Sequence, residues 1–579
     1  MIAKDTMEMS QAEDEQTTIS DDRKSTIAIV QLTRFGDVVQ TAHAVREFRN
    51  EYPAIRLILI ARKRFAAPLR WLLDTLFDQC YFLDFHQMMD STSNKELSLD
   101  EICNKLHGFV SRINSEDINV LLNLSFSKSS GLLCGLINAK NKLGMNNDPQ
   151  SLELRISDHW SQFVYSSVMR GPLSPFSLVD IYRRMMGGFK PVATTSVRPK
   201  IDYNQQKISI AIHPFASDPK KRWDGKKWVE IIYQLLKIHP NLEITIVGSR
   251  DEQLAGEEII NAPLIDNYSH RISNMAGETT IKELFELIAA SDLFLGHDSM
   301  VSHVAAYQQC PTITIALGTV RPHETAPFGI NNYVLAPKTK CFPCFPKDSC
   351  PLYKCHADIP FQIVHSVVDT YLKHGEINRK FLEEKSSSFH LDAVKCYQSK
   401  FMDTGMYQLI DTLRNDLSLT DFFRLLYRIS WLYFFTSEEE THDIPPLGAD
   451  VAKQLPHYRK GLQQLFELCE FGKKYSQYIL EEISSQTPNL INIKTHSAKI
   501  DEIDSLVKVL HQCYPHLAPL LDYLAVQKGN LQGSNIVELT ESTYFVYSDC
   551  SAVSSLMYDL VLKSENKVTG KRSISQPEV

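Results

Sequence analysis

No apolar run in this 579-residue chain reaches the length of a membrane span, so no transmembrane segment is expected and any membrane contact would be peripheral. Positive charge is not in excess either. Lys and Arg number 61 against 69 Asp and Glu, a formal net charge of -8, which removes support for nucleic acid as a partner and makes any anion site local. The start of the chain lacks the basic residues and apolar stretch of a secretory signal; residues 1–24 are acidic and polar and are expected to form a disordered tail on a cytoplasmic protein. The twelve cysteines stand at scattered positions, in keeping with a reducing compartment. What is present has the balance of a globular protein, 43% hydrophobic and 22% charged residues, with length for about three or four domains and sizeable cores.

The most informative stretch is Ile27-Ala-Ile-Val-Gln-Leu-Thr-Arg-Phe-Gly-Asp37-Val. The β-branched run Ile27 to Val30 predicts the first strand of a parallel sheet, Gly36 permits a tight strand-to-helix turn, and Val38 to Phe48 carries apolar residues at helical spacing. Asp37 then stands at the mouth of a helix at the carboxyl end of a strand, where a carboxylate is placed to take a proton from a bound hydroxyl. The plainer reading of the same residue is a helix N-cap.

Further strands are predicted at Arg56–Ala61 and Asn119–Leu124, so residues 25–200 read as an N-terminal Rossmann-like α/β domain. A second such domain covers residues 204–375. Its strands are Ile208–Ile212, Glu243–Val247, Leu293–Leu295 and Thr312–Ala316, and its helices Trp228–Ile238 and Ile281–Ala290. A short polar linker near Pro191–Tyr203 would leave a cleft between the two, the default ligand site. From 376 to 579 the pattern turns helical, with Leu419–Phe435, Val451–Ser476 and Ile500–Tyr523 amphipathic; this extension has no fixed repeat and no catalytic motif, and reads as helices docking on themselves or on the core.

Chemistry concentrates in the second domain. His213-Pro-Phe-Ala-Ser217-Asp-Pro-Lys-Lys221-Arg222-Trp223 places a hydroxyl, backbone donors and cations after a strand, an anion-binding layout. Ile246-Val-Gly248-Ser-Arg-Asp251-Glu252 ends a strand in a turn with carboxylates able to accept from ribose hydroxyls. Gly277 precedes the capping-box signature Thr280 to Glu283, and Asp298 and Ser299 stand at another helix N-terminus, whose free N–H groups and positive dipole suit a diphosphate. Arg62, Lys63, Arg64 and Arg70 could meet an anionic acceptor or form a solvated face.

Taken together, Arg34-Phe-Gly36-Asp37 with Thr41, Lys221-Arg-Trp223, Ala276-Gly277, His297-Asp298-Ser299 with His303-Val-Ala-Ala306, then Pro311, Gly318 and Pro327-Phe-Gly329, resemble the bacterial heptosyltransferases over about residues 25 to 370. The resemblance implies a GT-B fold and transfer, with inversion, of a sugar such as heptose from an ADP-sugar donor to lipopolysaccharide core or a protein acceptor. It implies Asp37 as catalytic base, Lys221 as the cation on the phosphates and Glu252 as ribose acceptor. Ser217, Arg222, Gly277, Asp298, Ser299 and His303 complete the donor pocket it implies. The chain departs from the family pattern at Met300, where glycine is usual, and at His297. No Asp-x-Asp triplet is present to hold a divalent ion on a diphosphate, so no catalytic metal is expected. The alternative reading is a GT-B scaffold of weak turnover that recruits a partner through its helical extension.

Cys341-Phe-Pro-Cys344, Cys350 and Cys355 gather four thiols in one loop with the spacing Cys-x2-Cys-x5-Cys-x4-Cys. Four thiolates at this spacing can close a tetrahedral structural site for zinc or iron. Unliganded thiols, or His356 in place of one cysteine, are the competing readings. Some members of the resembled family, including those that modify autotransporter proteins, carry iron bound by cysteines, which sets iron beside zinc.

Overall fold

Ile27 to Val30 form the wholly buried centre of strand β1 (Thr26–Gln31), the first element of a computed structural model that describes residues 25–84, 98–147, 153–188, 207–345, 347–384, 391–413, 417–440, 444 and 447–569. The expected N-terminal tail and the interdomain linker lie outside the described residues. The chain divides into two compact units, one holding residues 26–117 and 176–414, the other including 118–175 and 415–579. Among the described residues fourteen strands fall into two parallel-dominated sheets, as the α/β reading expects.

In the first unit, helix α1 (Phe35–Glu51) follows β1 after a three-residue turn. Strand β2 (Arg56–Arg62) pairs parallel with β1, Thr26 opposite Arg56 through Gln31 opposite Ala61, and β3 (Gln79–Leu83) pairs parallel with β2. Within the second unit, β4 (Val120–Asn123) pairs parallel with β5 (Asn141–Asn147), and β5 pairs antiparallel with β6 (Leu154–Ser157).

The chain then builds an eight-stranded sheet within the first unit. Its elements in order are β7 (Ile208–His213), α2 (Gly225–Ile238), β8 (Leu242–Ile246), β9 (Ile272–Asn274), α3 (Ile281–Ala290), β10 (Leu293–His297), α4 (Met300–Tyr307), β11 (Thr312–Ile315), β12 (Tyr333–Pro337), α5 (Phe361–His374), β13 (Val394–Phe401) and β14 (Tyr407–Asp411). The strand order is β14-β13-β12-β11-β10-β7-β8-β9, parallel from β9 to β12 and antiparallel at the last two. Trp228, Ile231, Ile232 and Leu235 of α2 share one apolar core with Val364 and Val367 of α5 and with the strands. Because the strands are buried on both faces, they read in sequence as continuous β-branched runs. β13 and β14 differ: Lys395, Gln398 and Lys400 interrupt the apolar residues of β13 and Gln408 those of β14, and the region after residue 376, which reads as mostly helical, supplies these two strands after a short helix at Arg379–Glu383.

The remainder of the second unit is helical: α6 (Leu419–Thr436), α7 (Leu455–Ser484), α8 (Leu490–Cys513), α9 (Ala518–Gly529) and α10 (Ile536–Thr569). The stretch Ile500–Tyr523, read as one helix, breaks at Tyr514 because Pro515 lacks an N–H and disfavours helical backbone in the residue before it. α6 buries Phe422, Phe423, Tyr427 and Trp431. Trp431 stacks on Phe435 with ring centres 5.3 Å apart and tilts against Tyr523 of α9 at 4.8 Å. These helices dock on residues of their own unit: the Tyr523 hydroxyl lies 2.7 Å from His159 Nδ1, and Trp160 meets Phe435 at 4.8 Å. No helix among the described residues is long and apolar enough to cross a membrane.

Arg428 of α6 donates through Nε and Nη2 to both carboxylate oxygens of Glu440, at 2.5 and 2.8 Å, with side-chain exposures of 2% and 0%. Removing one partner of a buried pair leaves an uncompensated charge, so Arg428→Met is expected to cost about 3–5 kcal/mol. Chemical denaturation measures this, and Glu440→Gln added to the same chain should recover part of the loss.

Candidate functional site

The turn after β1 decides where Asp37 points. Arg34 is the N-cap of α1, with extended backbone, and Asp37 is the third helical residue, its Oδ2 accepting the Arg34 N–H at 3.0 Å. The carboxylate thus steadies the helix start from N3, the acidic half of a capping box, rather than as the N-cap itself. It remains partly exposed. A Cβ on Gly36 would lie 3.4 Å from His303 Cδ2 and 3.9 Å from Met300 Cα, so the turn bearing Asp37 lies close against the first turn of α4. One turn further along α1, Gln40 Nε2 lies 3.1 Å from His303 Nε2. An amide nitrogen only donates, which makes this ring nitrogen the acceptor and leaves the proton on Nδ1. Burial lowers the His303 pKa and outweighs the nearby charges of Asp298 and Asp37, which favour protonation. A neutral imidazole therefore stands between the two carboxylates.

The second half of the site forms where β7 and β10 lie side by side, Gly296 opposite His213. The chain leaves β7 toward β8 and β10 toward β11, so the carboxyl ends of these two strands form a topological switch point, the place where open α/β sheets bind ligands. His213 is the last residue of β7; Asp298 and Ser299 follow β10, with Ser299 the N-cap of α4. Lys221 Nζ lies 3.0 Å from Asp298 Oδ2, and Thr325 donates to Asp298 Oδ1 at 3.2 Å. Burial alone would raise the Asp298 carboxyl, but Lys221 and Thr325 outweigh it and keep it ionised.

Ser299 Oγ is 3.0 Å from His213 Nδ1, and His213 Nε2 is 3.6 Å from Glu252 Oε2. Glu252 also accepts from the Ser249 N–H at 2.7 Å and hydroxyl at 2.9 Å. Burial pushes this carboxyl up, yet the His213 and Ser249 contacts prevail and hold it down to about 2. Gly277, at φ +78°, donates its N–H to the Gly248 carbonyl at 3.0 Å, and a Cβ there would meet Arg250 Cα at 2.9 Å; only glycine lets this loop close on the Glu252 turn.

The structure therefore gathers Asp37, Lys221, Glu252, Gly277, Asp298, Ser299 and His303 around linked strand ends, whereas Ser217 and Arg222 are exposed. His297 is no pocket residue. It is wholly buried, its Nε2 accepts the Trp223 N–H at 3.1 Å, and burial carries its pKa down to about 3, so a neutral ring ties β10 to the cation-bearing turn. His213, Gln40 and Thr325 escaped the sequence reading as site residues. His213 had a signal, as the residue directly after the predicted strand Ile208–Ile212; the other two had none. Of the basic cluster, Lys63 and Arg70 pair with Asp84 and Asp74 at 2.9 and 3.1 Å, the pattern of a solvated face.

In the cysteine loop, Cys344 and Cys355 are buried, Cys350 is half-buried and Cys341 is exposed. Burial raises the Cys344 thiol, and Cys355, Cys341 and Cys350 add to the rise, so the other three thiols lie within electrostatic reach of Cys344. Among the described residues no three His, Cys, Asp or Glu side chains are arranged as a closed metal shell.

Residues 109–355 match the model of glycosyltransferase family 9 (heptosyltransferase). The lipooligosaccharide heptosyltransferase 2 of Campylobacter jejuni serotype O:2 is 30% identical over 184 residues, 31% of this chain and 55% of that protein. The chain spans about half the length of the first curated relatives it matches. Among solved structures, the E. coli ADP-heptose lps heptosyltransferase II is 18% identical, with 61% of this chain and 100% of that chain covered and a TM-score of 0.42. The bacterial iron-containing dodecameric glycosyltransferase TibC from enterotoxigenic E. coli H10407 is 11% identical, with 61% and 78% covered and a TM-score of 0.32.

Because the folded-state pKa of Glu252 is depressed, the stability it contributes is present above the unfolded carboxyl value and is lost as pH falls toward about 2. Glu252→Gln should lower the denaturation temperature at pH 7 and flatten its decline between about pH 4.5 and 2. Thermal unfolding followed across that range checks both.

Proposed function

We propose, on the premise that the chain carries a glycosyltransferase family 9 domain, that it moves a sugar, heptose, from an ADP-sugar to a hydroxyl of lipopolysaccharide core or a protein, in the cytoplasm and with inversion. In this reading residues 25–200 hold the acceptor and 204–375 the donor. The observation that carries it is the single side chain His303, which contacts the turn bearing Asp37 on one side and lies in the field of the Asp298–Lys221 pair on the other. A carboxylate at the mouth of one strand and a cation at the end of another are what a direct displacement requires.

Asp37 takes the proton of the acceptor hydroxyl as that oxygen attacks the anomeric carbon. The bond to the diphosphate breaks on the opposite face, and its developing charge is met by Lys221 and by the N-terminus of α4 at Ser299. Glu252, ionised at neutral pH, accepts from the ribose hydroxyls. The positive charge that meets the leaving group is thus supplied by side chain and helix, and the proposed displacement is metal-independent.

The cysteine loop fits a structural iron or zinc ion by its donor set: four thiols, two of them buried, with the other three in electrostatic reach of Cys344. Such an ion would supply cross-links to a loop with little apolar content of its own.

Asp37→Asn keeps the shape of the side chain and removes the base. Turnover with ADP-heptose should fall about a thousandfold or more, while calorimetry shows ADP still bound; near-normal turnover would take Asp37 out of the mechanism. For the loop, elemental analysis of purified protein should find about one equivalent of iron or zinc. Cys341→Ser with Cys344→Ser should lose the metal and lower the denaturation temperature, and a metal-free parent of equal stability would count against the site.

A further inference from the structure

The two adjacent lysines of the cation turn face different ways. Lys221 turns its ammonium to Asp298 at 3.0 Å. Lys220 sends its own to the Asp348 carbonyl of the cysteine loop at 2.8 Å, and its backbone carbonyl lies 2.8 Å from His356 Nε2. A carbonyl only accepts, so His356 donates. The His356 carbonyl in turn accepts from Lys227 Nζ at 2.5 Å and from Trp223 Nε1 at 3.5 Å. On the other side, Gly318 presses against the same turn: at φ +59° a Cβ there would lie 2.5 Å from the Lys220 carbonyl oxygen. The Gly318 carbonyl accepts the Cys344 N–H at 2.8 Å. The peptide that carries Lys221 is therefore gripped from both ends of the cysteine loop, by His356 directly and by Cys344 through Gly318.

We propose that His356 is a positioning residue for Lys221, and that through it the cysteine loop serves as the buttress of the phosphate-binding turn. The inference rests on the reading of Lys221 as the cation that meets the diphosphate. Lysine carries a long flexible stem, and a charge held on such a stem stabilises a departing anion only as well as its backbone is placed. Asp298 orients the ammonium, and His356 holds the peptide from which the stem grows. The two consecutive lysines thus divide the work, Lys220 anchoring and Lys221 presenting the charge.

The test measures ADP binding by calorimetry for the parent, His356→Ala, His356→Gln, Lys221→Ala and the His356→Ala/Lys221→Ala double variant, with thermal unfolding of each. His356→Ala should weaken ADP about tenfold, the loss expected for one well-placed hydrogen bond. His356→Gln, whose amide nitrogen can reach the same carbonyl, should restore binding to within about threefold. In the Lys221→Ala background His356→Ala should cost nothing further, since it acts only through that lysine. Unchanged ADP affinity in His356→Ala, or an equal loss with and without Lys221, would overturn the inference while the reading of Lys221 stands. If Lys221→Ala itself leaves ADP affinity unchanged, the reading falls and takes the inference with it. Should the alanine variant fail to fold, His356→Phe, which keeps the ring volume and cannot donate, replaces it.

Discussion

The half-buried contact between Lys221 and Asp298 is the constraint around which the site is built. A carboxylate at the end of β10, closed off from water, would take up a proton unless charge and donors surrounded it. Lys221 and Thr325 supply them. The result is an ion pair assembled from three separate loops, each following a parallel strand or its neighbour, at the point where strand order reverses. A cation fixed in advance at that place needs little reorganisation when an anion arrives, and this gives such a site its electrostatic advantage.

Everything nearby serves to hold that pair still. His297, kept neutral by burial, bonds the backbone of Trp223 and so joins the strand carrying Asp298 to the turn carrying Lys221. Gly318 allows a loop to approach that turn more closely than any side chain would permit. Ser299, His213 and Glu252 form a second chain of contacts across the ends of β7, β8 and β10. Met300, which stands where the resembled family has glycine, lies at the first turn of α4 with its Cα near Gly36, where the backbone bearing Asp37 comes close. The departure is thus built into the packing beside Asp37.

The helical region follows a different logic. Its stability comes from aromatic packing along α6 and from a sequestered Arg428–Glu440 pair, and its helices dock on residues 153–175 of the same unit. The helical region therefore completes a unit whose first strand occurs some 300 residues earlier in the chain.

By itself the sequence determined β1, β2, β4, β7, β8, β10 and β11, since doubly buried strands are written as unbroken apolar, largely β-branched runs; β3, β5, β9 and β12 were not legible in it. It also determined the position of Asp37 after β1, since Gly36 ends the run and helical spacing follows. It marked the cation turn, the Glu252 turn and the α4 terminus by the same strand-to-helix transitions. Where side chains alternate with polar residues, as in β13 and β14, the signal was too weak to separate strand from helix, and Pro515 was passed over inside an apolar pattern. Only the tertiary structure decided the partners: Gln40 with His303, 263 residues apart, His213 with Ser299, 86 apart, and His356 with Lys220, 136 apart. Local pattern records which face of an element is buried. Which polar group meets which depends on how distant loops are brought together, and no short-range periodicity carries that information.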